Sequence, residues 1–204
     1  MTDLFRDGAD DWDTWPVPAQ ISAGVFDALA RRVALAPALT VLDFGAGTGL
    51  LLDKLAPHVG RLVAVDISAA MLDKLAEKLG EQPELAGKVR IVCQDITRTP
   101  LDERVELVVS AMAMHHVEDT RALLAALHAH LVPGGRVALA DLDAEDGSFH
   151  PPGTEGVFHH GFDRDRLARQ LTDAGFVDVE LDTACVVHRD ERAYPVFLVT
   201  ATKA

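Results

Sequence analysis

Three glycines at alternate positions stand in the run Asp43-Phe44-Gly45-Ala46-Gly47-Thr48-Gly49. The run follows the apolar stretch Leu39–Phe44 and leads into a helical pattern. A strand that turns through glycines into a helix lets a ligand approach bare backbone, with the helix N–H groups facing it. A dinucleotide fingerprint would also need glycine at position 50, where this chain has Leu50. Two further acids lie at matching places. Leu62-Val63-Ala64-Val65-Asp66 ends in a carboxylate able to accept both hydroxyls of a ribose. Gln94-Asp95-Ile96 follows the third apolar run, where a carboxylate can accept from an exocyclic amine such as that of adenine. One such acid is commonly a strand-end or helix-cap residue, but Asp43, Asp66 and Asp95 at successive strand ends argue for a ligand along that edge.

Histidines supply the other candidate chemistry. The fourth apolar run ends in Ser110-Ala111-Met112-Ala113-Met114-His115-His116-Val117. An imidazole titrates near neutrality and suits the role of general base for an acceptor that must lose a proton. The alternative for His115 and His116 is a contact between this loop and the neighbouring strand, and at least one of them is expected to serve that way. The segment Asp143–Phe162, rich in Gly, Pro and His (His150, His159, His160), is a second candidate for substrate contact. His160 is its catalytic candidate, against a solvated surface loop as the alternative. A metal site from Asp141, Asp143 and these histidines matches no standard ligand spacing, so none is expected.

These residues need a frame. Ile21, Val25, Leu29 and Val33 recur at helical spacing between Pro18 and about Leu35, before Pro37. Helix Gly49–Ala56 then precedes strand Arg61–Asp66, and helix Ser68–Leu79 precedes strand Val89–Cys93. Strand Val105–Ser110 leads to helix Thr120–Leu131, and Pro133-Gly134-Gly135 turns the chain into strand Arg136–Asp141. Strands apolar throughout, alternating with amphipathic helices, predict a parallel sheet covered on both faces. Ser68 and Asp163 are placed as helix caps, with Phe162 as a hydrophobic staple for the second. Val177–Val187 and Ala193–Thr202 have no helix between them and should pair as an antiparallel hairpin.

Bulk properties narrow the function. The chain has 204 residues, 49% hydrophobic and 25% charged, the profile of one folded domain. Acids outnumber bases 32 to 19, a net charge of −13 that disfavours a nucleic-acid partner. No stretch approaches the ~20 apolar residues of a bilayer span, and the acidic N-terminus does not read as a secretory signal. A cytoplasmic protein with no membrane insertion is expected. Cys93 and Cys185 sit in apolar runs and read as small buried hydrophobes.

The run Val41–Gly49 resembles the first motif of class I S-adenosylmethionine (SAM)-dependent methyltransferases. Asp66-Ile67-Ser68 with Met71-Leu72 resembles their second motif, Asp95-Ile96 their adenine-contacting one, and Leu131–Gly135 the turn before their fifth strand. The likeness runs from about Val41 to the C-terminus and is closest to small ubiquinone-biosynthesis-like enzymes. It implies an α/β fold, a doubly wound Rossmann-like seven-stranded sheet in order 3-2-1-4-5-7-6 with the last strand antiparallel and helices on both faces. It implies SAM as cofactor and S-adenosylhomocysteine as product. Gly45, Ala46, Gly47 and Gly49 would wrap the methionine portion, with Asp43 nearby. Asp66 would hold the ribose, Ile67 and Met71 would pack on the adenine, and Asp95 would bond its amine, with Ile96 and Ser110 alongside. The loop carrying His115 and His116 would lie beside the reactive methyl group. Residues 1–36 would form a helical lid on a SAM-binding domain of residues 37–204, with Trp12 and Trp15 shielding the reaction or anchoring the terminus. The acceptor is expected to be a small molecule. The placement of the two cysteines weighs against arsenic methylation, and the absence of an Asn-Pro-Pro-Tyr-like run and of a Pro-Cys pair after the fourth strand weighs against adenine-, glutamine- and cytosine-directed types. Rival readings are aminopropyl transfer, a non-catalytic SAM sensor and a nicotinamide dehydrogenase. They are disfavoured by Met112 and Met114, by the intact glycine loop, and by Leu50 respectively.

Overall fold

Strands apolar on both sides need cover on both sides, and the chain provides it. A computed structural model describes residues 3–189 and 191–204. Seven strands are present: β1 (Thr40–Phe44), β2 (Arg61–Asp66), β3 (Val89–Cys93), β4 (Val105–Ala111), β5 (Leu131–Leu142), β6 (Phe176–Arg189) and β7 (Arg192–Lys203). They form one sheet in the order β3-β2-β1-β4-β5-β7-β6. The first five are parallel, and β7 runs antiparallel to both β5 and β6. The expected doubly wound sheet with its terminal hairpin is therefore observed.

Successive side chains of a strand point to opposite faces, and the two faces feed separate cores. Val41, Leu62, Ala64, Leu107 and Val109 pack with helices α1 (Pro16–Arg32), α2 (Leu50–Leu55) and α3 (Ala69–Gly80) through Val25, Leu29, Leu52 and Leu75. Leu42, Val63, Val65, Val108 and Phe197 pack on the other face with Leu123, Leu124, Leu127, Leu167 and Leu171, from helices that follow β4 and β5. Each such leucine is fully or almost fully buried, worth ~1.5–3 kcal/mol per side chain.

Local chemistry sets the element ends. The first helix starts at Pro16, two residues before the expected Pro18. Trp15 is extended, and prolines in a first turn forgo only N–H groups that have no helical partner. The helix stops at Arg32, short of Leu35, because Val33 is already extended. A one-turn helix, α4 (Pro83–Ala86), lies in a stretch with no periodicity to reveal it. Ser68 caps α3 by accepting from Met71 N–H at 3.2 Å. Helix α5 (Thr120–His130) is capped by Asp119, and α6 (Arg164–Asp173) by Asp163, which accepts from Arg166 N–H at 2.8 Å. Phe162 and Leu167, on either side of that cap, both lie in the core of the face that α5 and α6 cover. Pro133-Gly134-Gly135 lies inside β5 rather than before it. There β5 advances from Leu131 to Arg136 while β4 advances only from Val105 to Leu107. The strand bulges around Gly134 at φ +75°. Sheet order reverses between β1 and β4, and in open α/β sheets ligands bind beyond the carboxyl ends of strands at such a point.

Candidate active site

The glycine loop leaves β1 at that reversal. Gly45 N–H and Ala46 N–H both donate to the Val65 carbonyl, at 2.8 and 3.1 Å, which ties the loop to β2. Gly45, Gly47 and Gly49 have φ of +70°, +54° and +88°, all left-handed. They are not equivalent. A Cβ on Gly45 would lie 2.2 Å from Ala113 Cβ, and one on Gly49 would lie 2.6 Å from Leu75 Cδ1. A Cβ on Gly47 would meet nothing within 4 Å. Two glycines serve close packing, and the third leaves backbone open to a ligand.

The acids differ as sharply. Asp66 shapes the loop itself: Oδ2 accepts from Gly47 N–H at 2.8 Å and Oδ1 from Ser68 N–H at 2.9 Å. Burial raises its pKa, and the N–H groups of Ser68, Gly47 and Ile67 work against that rise. Each of its oxygens keeps a second lone pair for another donor. Asp43 is buried, and its Oδ2 has no partner among the described residues. Burial, then the charge of Asp66, pushes its carboxyl up to about 8. Asp95 closes its own turn, with Oδ1 accepting from Thr97 N–H (3.0 Å) and Thr97 Oγ1–H (2.6 Å). Its Oδ2 lies 3.3 Å from Arg98 Nε. Ile67 stands 54% exposed at the end of β2, whereas Met71 and Ile96 are buried. Ser110 is buried and donates to the Phe44 carbonyl at 2.8 Å, joining β4 to β1.

Beyond β4 and β5 the histidines gather. His115 is buried and meets Asp141 of β5 with Nδ1 at 2.7 Å from Oδ1, the loop-to-strand contact anticipated for one of the pair. His116 Nδ1–H donates to the Gly156 carbonyl at 2.8 Å, which leaves Nε2 with its lone pair. His150 Nε2 lies 3.2 Å from His115 Nε2. Ring centroids of His115 are 4.0 Å from those of His116 and 5.1 Å from those of His150. Burial, then the neighbouring His115, holds both His116 and His150 down at about 4, so both are neutral near pH 7. His150 is the member that sequence reasoning did not single out from its segment. His160 stays outside the cluster, exposed, with Nδ1 3.8 Å from Glu145. His159 instead ties the segment to the loop, with Nε2 3.0 Å from the Val117 carbonyl.

The N-terminal segment lies over both parts. Asp3 accepts from Ala70 N–H at the start of α3, and Thr48 Oγ1–H donates to Asp13. Asp10 pairs with Lys74 and Asp13 with Lys78. Phe5 meets His116 edge-on at 5.0 Å, and Leu4 packs on Gly156. Trp12 sits 5.4 Å from Trp15, which is 44% exposed. Surface ion pairs contribute only ~0–1 kcal/mol each, so this cover is lightly held. Helix α1 is different, being built into the core through Ile21, Val25 and Leu29. Among the described residues no group of three or more His, Cys, Asp or Glu is arranged to hold a metal ion.

A family model described as a methyltransferase domain matches residues 41–135, the stretch from β1 through the β5 bulge. Residues 41–135 thus carry the methyltransferase domain of that family, on a fold shared with solved SAM-dependent methyltransferases. It is 33% identical over 135 residues to an uncharacterised methyltransferase of Schizosaccharomyces pombe, covering 60% of this chain and 48% of that one. It is 32% identical over 150 residues to a malonyl-[acyl-carrier protein] O-methyltransferase of Halorhodospira halophila, covering 70% and 50%. The chain thus spans about half the length of these curated relatives. Among solved structures, the partner chain of the Haloferax volcanii Trm112 methyltransferase activator superposes with a TM-score of 0.81 at 20% identity, covering 99% and 98%. The N-methyltransferase NodS of Bradyrhizobium japonicum, in complex with S-adenosyl-L-homocysteine, gives 0.72 at 18% identity, covering 98% and 94%. These likenesses share the fold.

The residues present suit SAM, this family's cofactor. Gly47 leaves open space over the loop, Asp43 has a buried oxygen in want of a partner, and Ile67 offers an apolar face beside Asp66. Those three features match a cationic amino-acid end and a nucleoside end. Among the described residues no helix is long and apolar enough to cross a membrane.

Proposed function

We propose that this methyltransferase passes the methyl group of SAM to a small-molecule acceptor by in-line displacement, the acceptor held between the loop after β4 and the 143–162 segment. SAM when bound supplies an electrophilic methyl carbon on a sulfonium leaving group, so the protein's work is to orient, desolvate and take up a proton. Gly45, Ala46, Gly47 and Gly49 hold the methionine portion with Asp43 facing its charge. Asp66 accepts from the ribose, Ile67 and Met71 flank the adenine with Ile96 beneath, Asp95 accepts from the adenine amine, and Ser110 keeps β4 joined to β1. The reading is carried by one observation. The imidazoles of His116 and His150, neutral and half-buried, stand 5.9 Å apart, Phe5 meets His116 edge-on, and the loop carrying His116 packs on Gly45 through Ala113. Neutral imidazoles with free lone pairs suit an acceptor that must shed a proton. Residues 3–15 act as the lid, and Phe5 and Trp12 exclude water when it is closed. The net charge of −13 keeps polyanionic acceptors away.

Isothermal calorimetry of the purified chain with SAM and, separately, with NAD tests the reading. Micromolar binding of SAM, about −8 kcal/mol, with none of NAD is expected, followed by label transfer from methyl-labelled SAM to a small acceptor. No SAM binding would overturn it.

A further inference from the structure

Asp141, next to last in β5, has no exposed surface, and the methyl-transfer reading leaves it without a task. Its carboxylate is surrounded by donors: Leu142 N–H at 2.8 Å, His115 N–H at 3.1 Å and His115 Nδ1 at 2.7 Å. With Nδ1–H given to Asp141, His115 Nε2 carries a lone pair. The 3.2 Å contact between His115 Nε2 and His150 Nε2 then has only one donor, the Nε2–H of His150. That leaves His150 Nδ1 as a lone pair with no hydrogen-bond partner among the described residues, on a ring that is only half-buried. Each donor role fixes the next, from a buried carboxylate to a ring nitrogen at the edge of the acceptor space.

We propose that Asp141, His115 and His150 form a proton relay, and that the acceptor methylated at this site is a neutral hydroxyl. The inference rests on the methyltransferase reading and deepens it. An acceptor arriving as a carboxylate brings no proton and leaves the chain idle, and it would want a cation. Arg189, the cation whose charge reaches His150, is turned instead to the Phe149 carbonyl and ring. A neutral hydroxyl donates a hydrogen bond to His150 Nδ1, which aims its oxygen lone pairs away from the ring. As the oxygen forms its bond to the methyl carbon, the C–S electron pair stays on sulfur. The hydroxyl proton passes to His150 Nδ1 and the Nε2 proton of His150 to His115 Nε2, and Asp141, held as the carboxylate by its three donors, stabilises the His115 imidazolium. Charge balances: the positive charge lost at sulfur is matched by the positive charge gained at His115. His115 touches neither ligand and is a positioning residue, as is Asp141. His116, whose Nε2 is also free, has its ring 5.9 Å from that of His150 and is not in the chain of hydrogen bonds.

The test uses the full chain with 15N-labelled histidine, free and titrated with S-adenosylhomocysteine. Long-range nitrogen–proton spectra near neutral pH should show His115 protonated at Nδ1 and bare at Nε2. Asp141→Asn should move that proton to Nε2, breaking the bond from His150. A wild-type His115 protonated at Nε2 overturns the relay, because it could not accept from His150. No saturable change with S-adenosylhomocysteine overturns the methyltransferase reading and the relay with it, whereas a saturable change with the wrong tautomer overturns the relay alone. In turnover with methyl-labelled SAM, catechol serves as hydroxyl probe and thioanisole as a proton-free one. Asp141→Asn and His150→Ala should each lower catechol labelling by ~100-fold or more at unchanged SAM affinity, and added imidazole should restore part of the His150→Ala loss. Full catechol turnover in Asp141→Asn, or thioanisole labelling with the same dependence on Asp141, overturns the proposal.

Discussion

Asp43→Asn probes the buried acid of the glycine loop in two ways. Burial and the nearby Asp66 raise the Asp43 carboxyl from 3.8 to about 8 in the folded chain. A raised carboxyl holds its proton when folded over a pH range where the unfolded chain has released it. Stability is therefore lost as pH climbs from about 4, and the loss is complete above about 8. Each unit is worth about 1.4 kcal/mol, so the cost at pH 7 is at most on the order of 4 kcal/mol. Asparagine carries no charge in that window. Denaturant unfolding of both proteins between pH 4 and 8 should show the wild type losing stability relative to Asp43→Asn as pH rises.

The same proton reports on the ligand. Near pH 7 Asp43 is mostly protonated, and a cationic amino-acid end seated beside its orphan oxygen favours the carboxylate. SAM binding should then release a large part of one proton. Calorimetry at pH 7 in buffers of different ionisation enthalpy measures that number directly. The wild type should release nearly one proton per SAM bound, and Asp43→Asn close to none. An equal slope in both proteins, together with parallel pH–stability curves, would refute the reasoning: Asp43 would then be neither strained when ionised nor a partner of the ligand.

Other substitutions separate the roles of neighbouring groups. Asp66→Ala removes the acceptor for Gly47 N–H and Ser68 N–H as well as the one offered to a ribose; at ~1.5–3 kcal/mol for a charged hydrogen bond, SAM affinity in calorimetry should fall by roughly ten- to a hundred-fold. His116→Ala should leave SAM affinity intact and lower turnover, and full activity would return His116 to a packing role against Phe5. Gly49→Ala places a methyl 2.6 Å from Leu75 Cδ1 at a φ of +88°; overpacking of ~1–3 kcal/mol should lower the thermal midpoint, whereas Gly47→Ala should spare it more and weaken SAM binding.

Much of the frame was legible because it is periodic. Strands apolar throughout and period-3.6 helices alternate through the parallel half, so sheet direction and two-sided cover followed from pattern alone. Where physics was local, the reading also held: Ser68 and Asp163 cap the helices whose N-termini they precede. Boundaries moved where tertiary context decided, as at Pro16 and at the β5 bulge. Asp43, Asp66 and Asp95 share an edge because each strand of a parallel sheet delivers its carboxyl end to the same side. Strand direction places a residue without fixing what the residue bonds to. Asp95 shows the difference, since its Oδ1 is already engaged by Thr97.

The histidines mark where periodicity stops helping. His150, His159 and His160 lie in a segment with neither repeat, and left-handed turns at Gly147, Gly153, Gly156 and Gly161 set its path. Gly161 shows how tightly the path is fixed, because a Cβ there would lie 2.1 Å from the Asp143 carbonyl oxygen. Phe158 N–H and His159 N–H both donate to the His115 carbonyl, at 3.0 and 3.2 Å. His159 then turns inward to Val117. His160, at a bend, faces solvent. His150 reaches His115 only because Ser148 N–H and Phe149 N–H are both held by the Glu145 carboxylate, which bends the chain just before it. An acid five residues upstream, acting through two backbone donors, decides which imidazole meets the buried Asp141–His115 pair.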